Sequence, residues 1–207
     1  MIYVYGDSHA RQFVGEGQKI ILSNSFTMHK LASGETFIGQ WTYDEDGLAS
    51  VYLRDKPKGF PRRPAAIVFG EPDVRFAIWK QVEAGRDEIE IMETLVGQYI
   101  DYMSRLGGEI ILSSITPASD WKKMDGIDGF PGWQEGFWPR KGPLERRIFW
   151  TKYMNGLLKK SGFTFVDVHD YYADENGQLR YDITHDGIHI CPSKNKYIVE
   201  ELRRMLK

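Results

Sequence analysis

The chain has 207 residues and a mass of 23.9 kDa, a length that suits one domain with a substantial core and is cramped for two. Lys plus Arg number 27 against 29 Asp plus Glu, a formal net charge of −2, so no whole-molecule positive field draws in nucleic acid or anionic membrane. Hydrophobic residues at 42% and charged residues at 27% place it among folded globular chains and outside the disordered range.

The single cysteine, Cys191, has no partner for an intramolecular disulfide, and no paired Cys/His spacing suggests a structural zinc site. Cys191 reads as a small packing residue. The N-terminal MIYVYGDS lacks a basic leader followed by an apolar run, and no stretch of about 18 consecutive apolar residues occurs. A cytoplasmic location is the default expectation, with no membrane partner; a trimmed, exported form is equally compatible with a lone cysteine.

Short β-branched and aromatic runs recur along the chain. Ile2–Tyr5 ends at Gly6, Lys19–Leu22 lies between Gly17 and Ser23-Asn24-Ser25, Ala65–Phe69 ends at Gly70, Glu109–Leu112 follows Gly107-Gly108, and Phe163–Val168 follows Gly162. Each predicts a strand. Between them, Ile89, Met92, Leu95, Val96, Tyr99, Met103 and Leu106 trace one apolar helical stripe that stops at Gly107. Leu144, Ile148, Leu157 and Leu158 predict another helix before Gly162. Ile198, Leu202 and Met205 predict a terminal one entered near Pro192. Strands that are apolar throughout and alternate with helices imply a parallel sheet covered on both faces. The expected fold is therefore α/β, a three-layer α/β/α sandwich around a parallel sheet of about five strands, forming one domain over residues 1–207.

In such open sheets ligands bind where strand ends lead into helices. The first strand runs into Gly6-Asp7-Ser8-His9, which puts a hydroxyl at the start of the next helix, near unsatisfied backbone N–H groups. Ser8 is a candidate nucleophile; the alternative is that Asp7 or Ser8 only caps that helix. A serine needs a base and a group to orient it. The stretch Asp182-Ile-Thr-His185-Asp186-Gly-Ile-His189 offers both, with Asp186 and His189 three residues apart and Asp182 with His185 as the fallback pair. A surface turn with an incidental histidine is the competing reading.

Taken in order, Gly6-Asp7-Ser8 after the first strand, Gly70-Glu71-Pro72-Asp73 after the third and Asp186-Gly187-Ile188-His189 before the last helix resemble the sequence blocks of the SGNH (GDSL-type) hydrolase superfamily. The resemblance spans Ser8 to His189. It implies a flavodoxin-like fold, a Ser8 nucleophile, a His189 base, an Asp186 orienter and no metal or organic cofactor. The family's usual Gly-x-Asn-Asp third block is replaced here, with Pro72 where an asparagine would donate to the oxyanion; proline has neither a side-chain donor nor an N–H. A subset with Gly-Glu-x-Asp blocks is similar to this one. Arg75 is the candidate substitute donor, and Gly70, Glu71 and Asp73 are the block's other candidate site residues. For the second-block donor the backbone of Asn24 is favoured over Gly34. Glu71 and Asp73 also admit a reading as paired carboxylates for glycoside hydrolysis, or as caps of the following helix, and both rank lower than the hydrolase reading.

Thr116–Pro143 is a long segment with Trp121, Phe130, Trp133, Phe137, Trp138 and four prolines. Such loops serve as lids or binding loops, and residues 116–143 are expected to act so, their aromatics stacking on sugar or lining an acyl pocket; a satellite hydrophobic cluster is the alternative. Arg62-Arg63 reads as a solvated turn. The expectation overall is a serine esterase cleaving a small acyl ester, such as O-acetyl on a carbohydrate, through an acyl-enzyme on Ser8. The substrate partner is then a small-molecule or carbohydrate ester. The rivals are an O-acyltransferase using the same residues and a non-catalytic glycan- or protein-binding module on the same fold.

Overall fold

The computed structural model describes residues 2–13, 18–22, 28, 39–44, 47–51, 65–106, 108–121, 140–184 and 186–205. Its strands are β1 (Ile2–Gly6), β2 (Gln18–Leu22), β3 (Gly39–Asp44), β4 (Gly47–Val51), β5 (Ala65–Val68), β6 (Ile110–Ser113) and β7 (Thr164–Val166). They form one sheet in the order β4-β3-β2-β1-β5-β6-β7. β2, β1, β5, β6 and β7 run parallel, with Val4 level with Ile20 on one side and Ala66 on the other. β3 and β4 add an antiparallel hairpin at the β2 edge.

The five expected strands are thus all present in the parallel part, and the hairpin extends the sheet. The sequence reading missed β3 and β4 because Gly-Gln-Trp-Thr-Tyr-Asp and Gly-Leu-Ala-Ser-Val lack the unbroken apolar character of strands buried on both faces.

The helices are α1 (Ile78–Glu83), α2 (Glu88–Leu106), α3 (Leu144–Lys159), α4 (His169–Tyr172) and α5 (Lys196–Met205). A π-helical stretch, Asp73–Ala77, leads into α1, and Ser8–Phe13 forms a 3₁₀ helix. Side chains alternate across β5, which separates two cores. Ala65, Ile67 and Phe69 join Tyr5, Ile110 and Leu112 under α1, α2 and α3, including Trp150 and Met154. Ala66 and Val68 join Val4, Ile111 and Val166 against Phe13, Tyr172, Ile198 and Leu202. This is the three-layer arrangement the spacing predicted. Along α3 the deepest apolar positions are Trp150, Met154 and Leu158, while Leu144, Ile148 and Leu157 are only partly buried. No helix among the described residues is long and apolar enough to cross a membrane.

Two details fix the turn after β5. Gly70 has φ +118°, and a Cβ there would lie 2.7 Å from Ile115 and 2.8 Å from Met28, so both conformation and space call for glycine. Asp73, 1% exposed, accepts the Met28 N–H at 2.8 Å. Burial pushes its carboxyl up to about 8, with Asp7 and Glu71 adding to the rise and the Met28 bond opposing it.

Gly70→Ala should lower the unfolding free energy by about 2–4 kcal/mol, read from denaturant melts. Asp73 binds a proton in the folded state over a range where the unfolded chain has lost it, so its contribution to stability falls as pH rises from near 4 to near 8. Asp73→Asn keeps an acceptor for Met28 and removes that titration. Its thermal midpoint relative to the parent should therefore climb between pH 5 and pH 9.

Candidate active site

From β1 the chain proceeds to β2 on one side, and β5 then pairs on the other. This reversal opens a crevice at the carboxyl ends of β1 and β5, the ligand position in open parallel sheets. Both candidate blocks lie there: Ser8 just beyond β1, and Gly70 to Arg75 just beyond β5.

At the β1 end, the Asp7 N–H donates to the Val68 carbonyl at 3.3 Å, carrying the sheet ladder one residue further. Asp7 Oδ1 accepts the His9 N–H at 2.7 Å and the Asp7 carbonyl accepts the Ala10 N–H at 3.0 Å, which starts the 3₁₀ helix. Asp7 therefore supplies the cap, and the Ser8 side chain is left to project elsewhere. Its Oγ lies 2.7 Å from His189 Nε2 across 181 residues of sequence.

His189 sits in a tight loop closed by an antiparallel bridge between Thr184 and Ile190. Asp186 Oδ1 accepts the N–H groups of Ile188 at 2.9 Å and His189 at 2.7 Å, while Thr184 Oγ1 accepts the Gly187 N–H at 2.9 Å. Asp186 Oδ2 is 2.5 Å from His189 Nδ1. Gly187 has φ +79°, and a Cβ there would run into the Trp121 carbonyl. The loop is braced from outside: Ser119 Oγ donates to the Gly187 carbonyl, and Arg140 Nη2 donates to Trp121 O at 2.8 Å and Gly187 O at 3.3 Å.

The electrostatics suit proton transfer from serine to imidazole. Burial alone would push the Asp186 carboxyl up, but the bond and charge of His189 and two backbone N–H groups outweigh it and hold the group well below the usual carboxylate range. At His189 burial is the largest influence and lowers the imidazole below its ordinary value of 6.5, against the opposing pull of Asp186. The ring is thus neutral near pH 7. With Nδ1–H donated to ionised Asp186, Nε2 presents a lone pair to the Ser8 hydroxyl.

The third block is placed less simply. Glu71 is 8% exposed and binds Arg75, whose Nε lies 2.9 and 3.0 Å from its two carboxylate oxygens. Asp73 is occupied with the Met28 N–H, and neither carboxylate caps the following helix through its side chain. Pro72 precedes the π-helical stretch, in the first turn where a missing N–H costs no helical bond. Of the fallback pair, Asp182 is tied at 2.6 and 3.0 Å to Arg180 and His185 lies outside the described residues. So do Asn24, Gly34, Arg62, Arg63, Phe130, Trp133, Phe137 and Trp138. Trp121, within the expected binding loop, packs edge-on to Tyr181 at 5.3 Å and donates its indole N–H to Leu179 O at 2.5 Å. Cys191 is half-buried and donates its backbone N–H to Ile183 O at 2.8 Å.

One member of the site escaped the sequence reading. His9, directly after Ser8, is buried, bonds Asp7 at 3.0 Å through Nδ1, and stacks on His189 with ring centroids 4.6 Å apart. The available signal was Asp7-x-His9, an acid and an imidazole two residues apart, but only the tight 3₁₀ turn folds that pair back together. No group of three His, Cys, Asp or Glu side chains among the described residues is arranged to hold a metal ion.

No family model matches the chain, and no curated protein does. Solved structures do. An acetyl xylan esterase superimposes with TM-score 0.52 at 13% identity, covering 100% of both chains. A protein assigned as an acylhydrolase from Bacteroides fragilis gives TM-score 0.58 at 14% identity, over 99% of this chain and 85% of that one. A GDSL-like lipase from Bacteroides thetaiotaomicron gives TM-score 0.58 at 14% identity, over 99% and 86%. At these identities the likeness is one of architecture, and it agrees with the order of the three blocks: the chain has the SGNH (GDSL-type) hydrolase fold.

Proposed function

We propose that the chain is a serine ester hydrolase. The observation that carries this reading is the continuous run of hydrogen bonds from Ser8 Oγ to His189 at 2.7 Å and from His189 to Asp186 at 2.5 Å, joining residues from the two ends of the sequence at the sheet's switch point. Ser8 Oγ attacks the ester carbonyl carbon while His189 Nε2 takes its proton; Asp186 holds the tautomer and stabilises the imidazolium that forms. Collapse of the tetrahedral intermediate breaks the bond to the alcohol, which leaves with the proton from His189. Water then adds to the acyl-enzyme, giving a proton to His189, and the acid departs as Ser8 is reprotonated.

For the oxyanion, the reading draws on the Ser8 backbone N–H, which opens the 3₁₀ helix and so has no partner one turn earlier within it. The acyl group is small, acetate in the first instance, carried on a carbohydrate. Supporting this are the likeness in fold to an acetyl xylan esterase and Trp121 beside Tyr181, the latter 50% exposed, next to the His189 loop.

Ser8→Ala should lower kcat/KM for 4-nitrophenyl acetate by at least about 10³-fold, and a fluorophosphonate should label the parent at Ser8. Equal rates in parent and variant would instead favour the non-catalytic binding reading. Because burial lowers His189, and the base works in its neutral form, activity should persist into mild acid. The acid limb of the kcat/KM profile should have its midpoint below 6.5.

A further inference from the structure

Behind His189 lies an imidazole that the proposed hydrolysis does not use. His9 is 3% exposed. Its ring lies 4.6 Å from that of His189 with the planes 29° apart. Nδ1 is 3.0 Å from Asp7 Oδ1 and Nε2 is 3.7 Å from Glu71 Oε2. The Glu71 contact is of ion-pair length and Nε2 makes no hydrogen bond; a neutral imidazole has one N–H to offer, spent here on Asp7, and only the imidazolium places positive charge against both carboxylates.

We propose that His9 is a positioning residue, a buried imidazolium held between Asp7 and Glu71, whose ring face fixes the His189 imidazole toward Ser8 and whose charge opposes protonation of that neighbour. The kinetic part rests on the ester-hydrolase reading; the stacked pair itself does not.

Two stacked imidazoles at this distance cannot both be cations without strong repulsion in a dry site. Which one holds the charge is decided by what faces each. Among the described residues, His9 meets Asp7 from the end of β1, Glu71 from the turn after β5, Arg75 from the π-helical stretch and His189 from the C-terminal loop. Burial is the largest influence on His9 and lowers it, with Arg75 acting the same way. Glu71 and Asp7 together outweigh them, and the net displacement is upward. His189 faces His9, Asp186, Glu71 and the Ser8 hydroxyl. Burial lowers it first, the Asp186 bond resists, and His9 adds to the lowering. Glu71 has a further anchor in Arg75 at 2.9 Å, so the carboxylate that favours charged His9 cannot swing away freely. The result is a division of labour: His9 holds the charge, and His189 stays available as a base.

The test is NMR of ¹⁵N-histidine-labelled protein, titrated in the parent and in His9→Asn and His9→Phe. In the parent, His9 should titrate above His189. In His9→Asn the His189 midpoint should move up, and the acid limb of the kcat/KM profile on 4-nitrophenyl acetate should move up with it. His9→Phe, which keeps a ring face without charge, should show the same upward move while retaining more of the plateau rate than His9→Asn. A His189 midpoint unchanged by both substitutions, or a parent in which His9 titrates below His189, would overturn the proposal. Should either variant fail to fold, the order of the two titrations in the parent still decides. If the parent has no esterase activity the NMR arms remain readable, which separates failure of this proposal from failure of the hydrolase reading.

Discussion

The contact between Ser8 and His189 closes 181 residues of chain at 2.7 Å, and the sheet order is what makes so distant a meeting sterically ordinary. Loop-closure entropy grows only with the logarithm of length, whereas β5, β6, α2 and α3 between them are held by their own apolar burial. β1 is central, flanked by β2 and β5, so anything leaving its carboxyl end enters a crevice with covered walls. The last helix completes the arrangement: Ile198 and Leu202 of α5 pack against Phe13 and Val4, which brings the loop ahead of α5 beside the helix that begins at Ser8. The hydroxyl and the imidazole are thus neighbours because their elements share one core. Their hydrogen bond refines that proximity and does not create it.

The same crevice concentrates ionisable groups that would be costly alone. Asp7, His9, Glu71, Asp73, Arg75 and Asp186 are all buried, and isolated charges there would shift protonation before surrendering their hydration. Two solutions coexist. Asp73 resolves its burial by keeping a proton, as its rise to about 8 records. Asp186 resolves it by partners, its His189 bond and backbone donors holding it ionised. Glu71 is tied to Arg75 and faces His9. Such a network specifies geometry more than it adds stability, since removal of one member strands another.

Much of this was legible in the sequence because it rests on periodicity and on fixed short spacings. The five parallel strands announced themselves by unbroken apolar runs, α2 by its stripe, and Asp186 with His189 by a spacing that one turn of chain satisfies. The order of the three blocks then indicated which distant residues to join. What stayed hidden depends on geometry that sequence encodes only weakly. His9 lies beside the candidate site because the chain after β1 forms a 3₁₀ helix, which returns His9 toward Asp7. The deep positions of α3 include Arg147, Thr151 and Asn155 beside Trp150, polar residues that a search for apolar stripes passes over. Asn155 is buried because it satisfies both the N–H and the carbonyl of Ile115, at 2.7 and 3.1 Å. That bond anchors the segment after β6 and is invisible to hydropathy.

Pro72 is best understood through the residues around it. An asparagine at that place would offer a neutral amide, whereas this chain has a proline that contributes no donor at all. The adjoining Glu71, in the turn after β5, and Arg75, in the π-helical stretch, supply charge instead, with the guanidinium Nε on the carboxylate. A crevice built this way is more polar than one built around an amide. It brings a carboxylate to within 3.7 Å of His9, and that carboxylate is among the influences that favour the protonated ring. Buried Glu71 has positive partners close by among the described residues, with Arg75 Nε at 2.9 Å and His9 Nε2 at 3.7 Å. The charge around this hydroxyl, imidazole and carboxylate is thus shared among Glu71, Arg75 and His9.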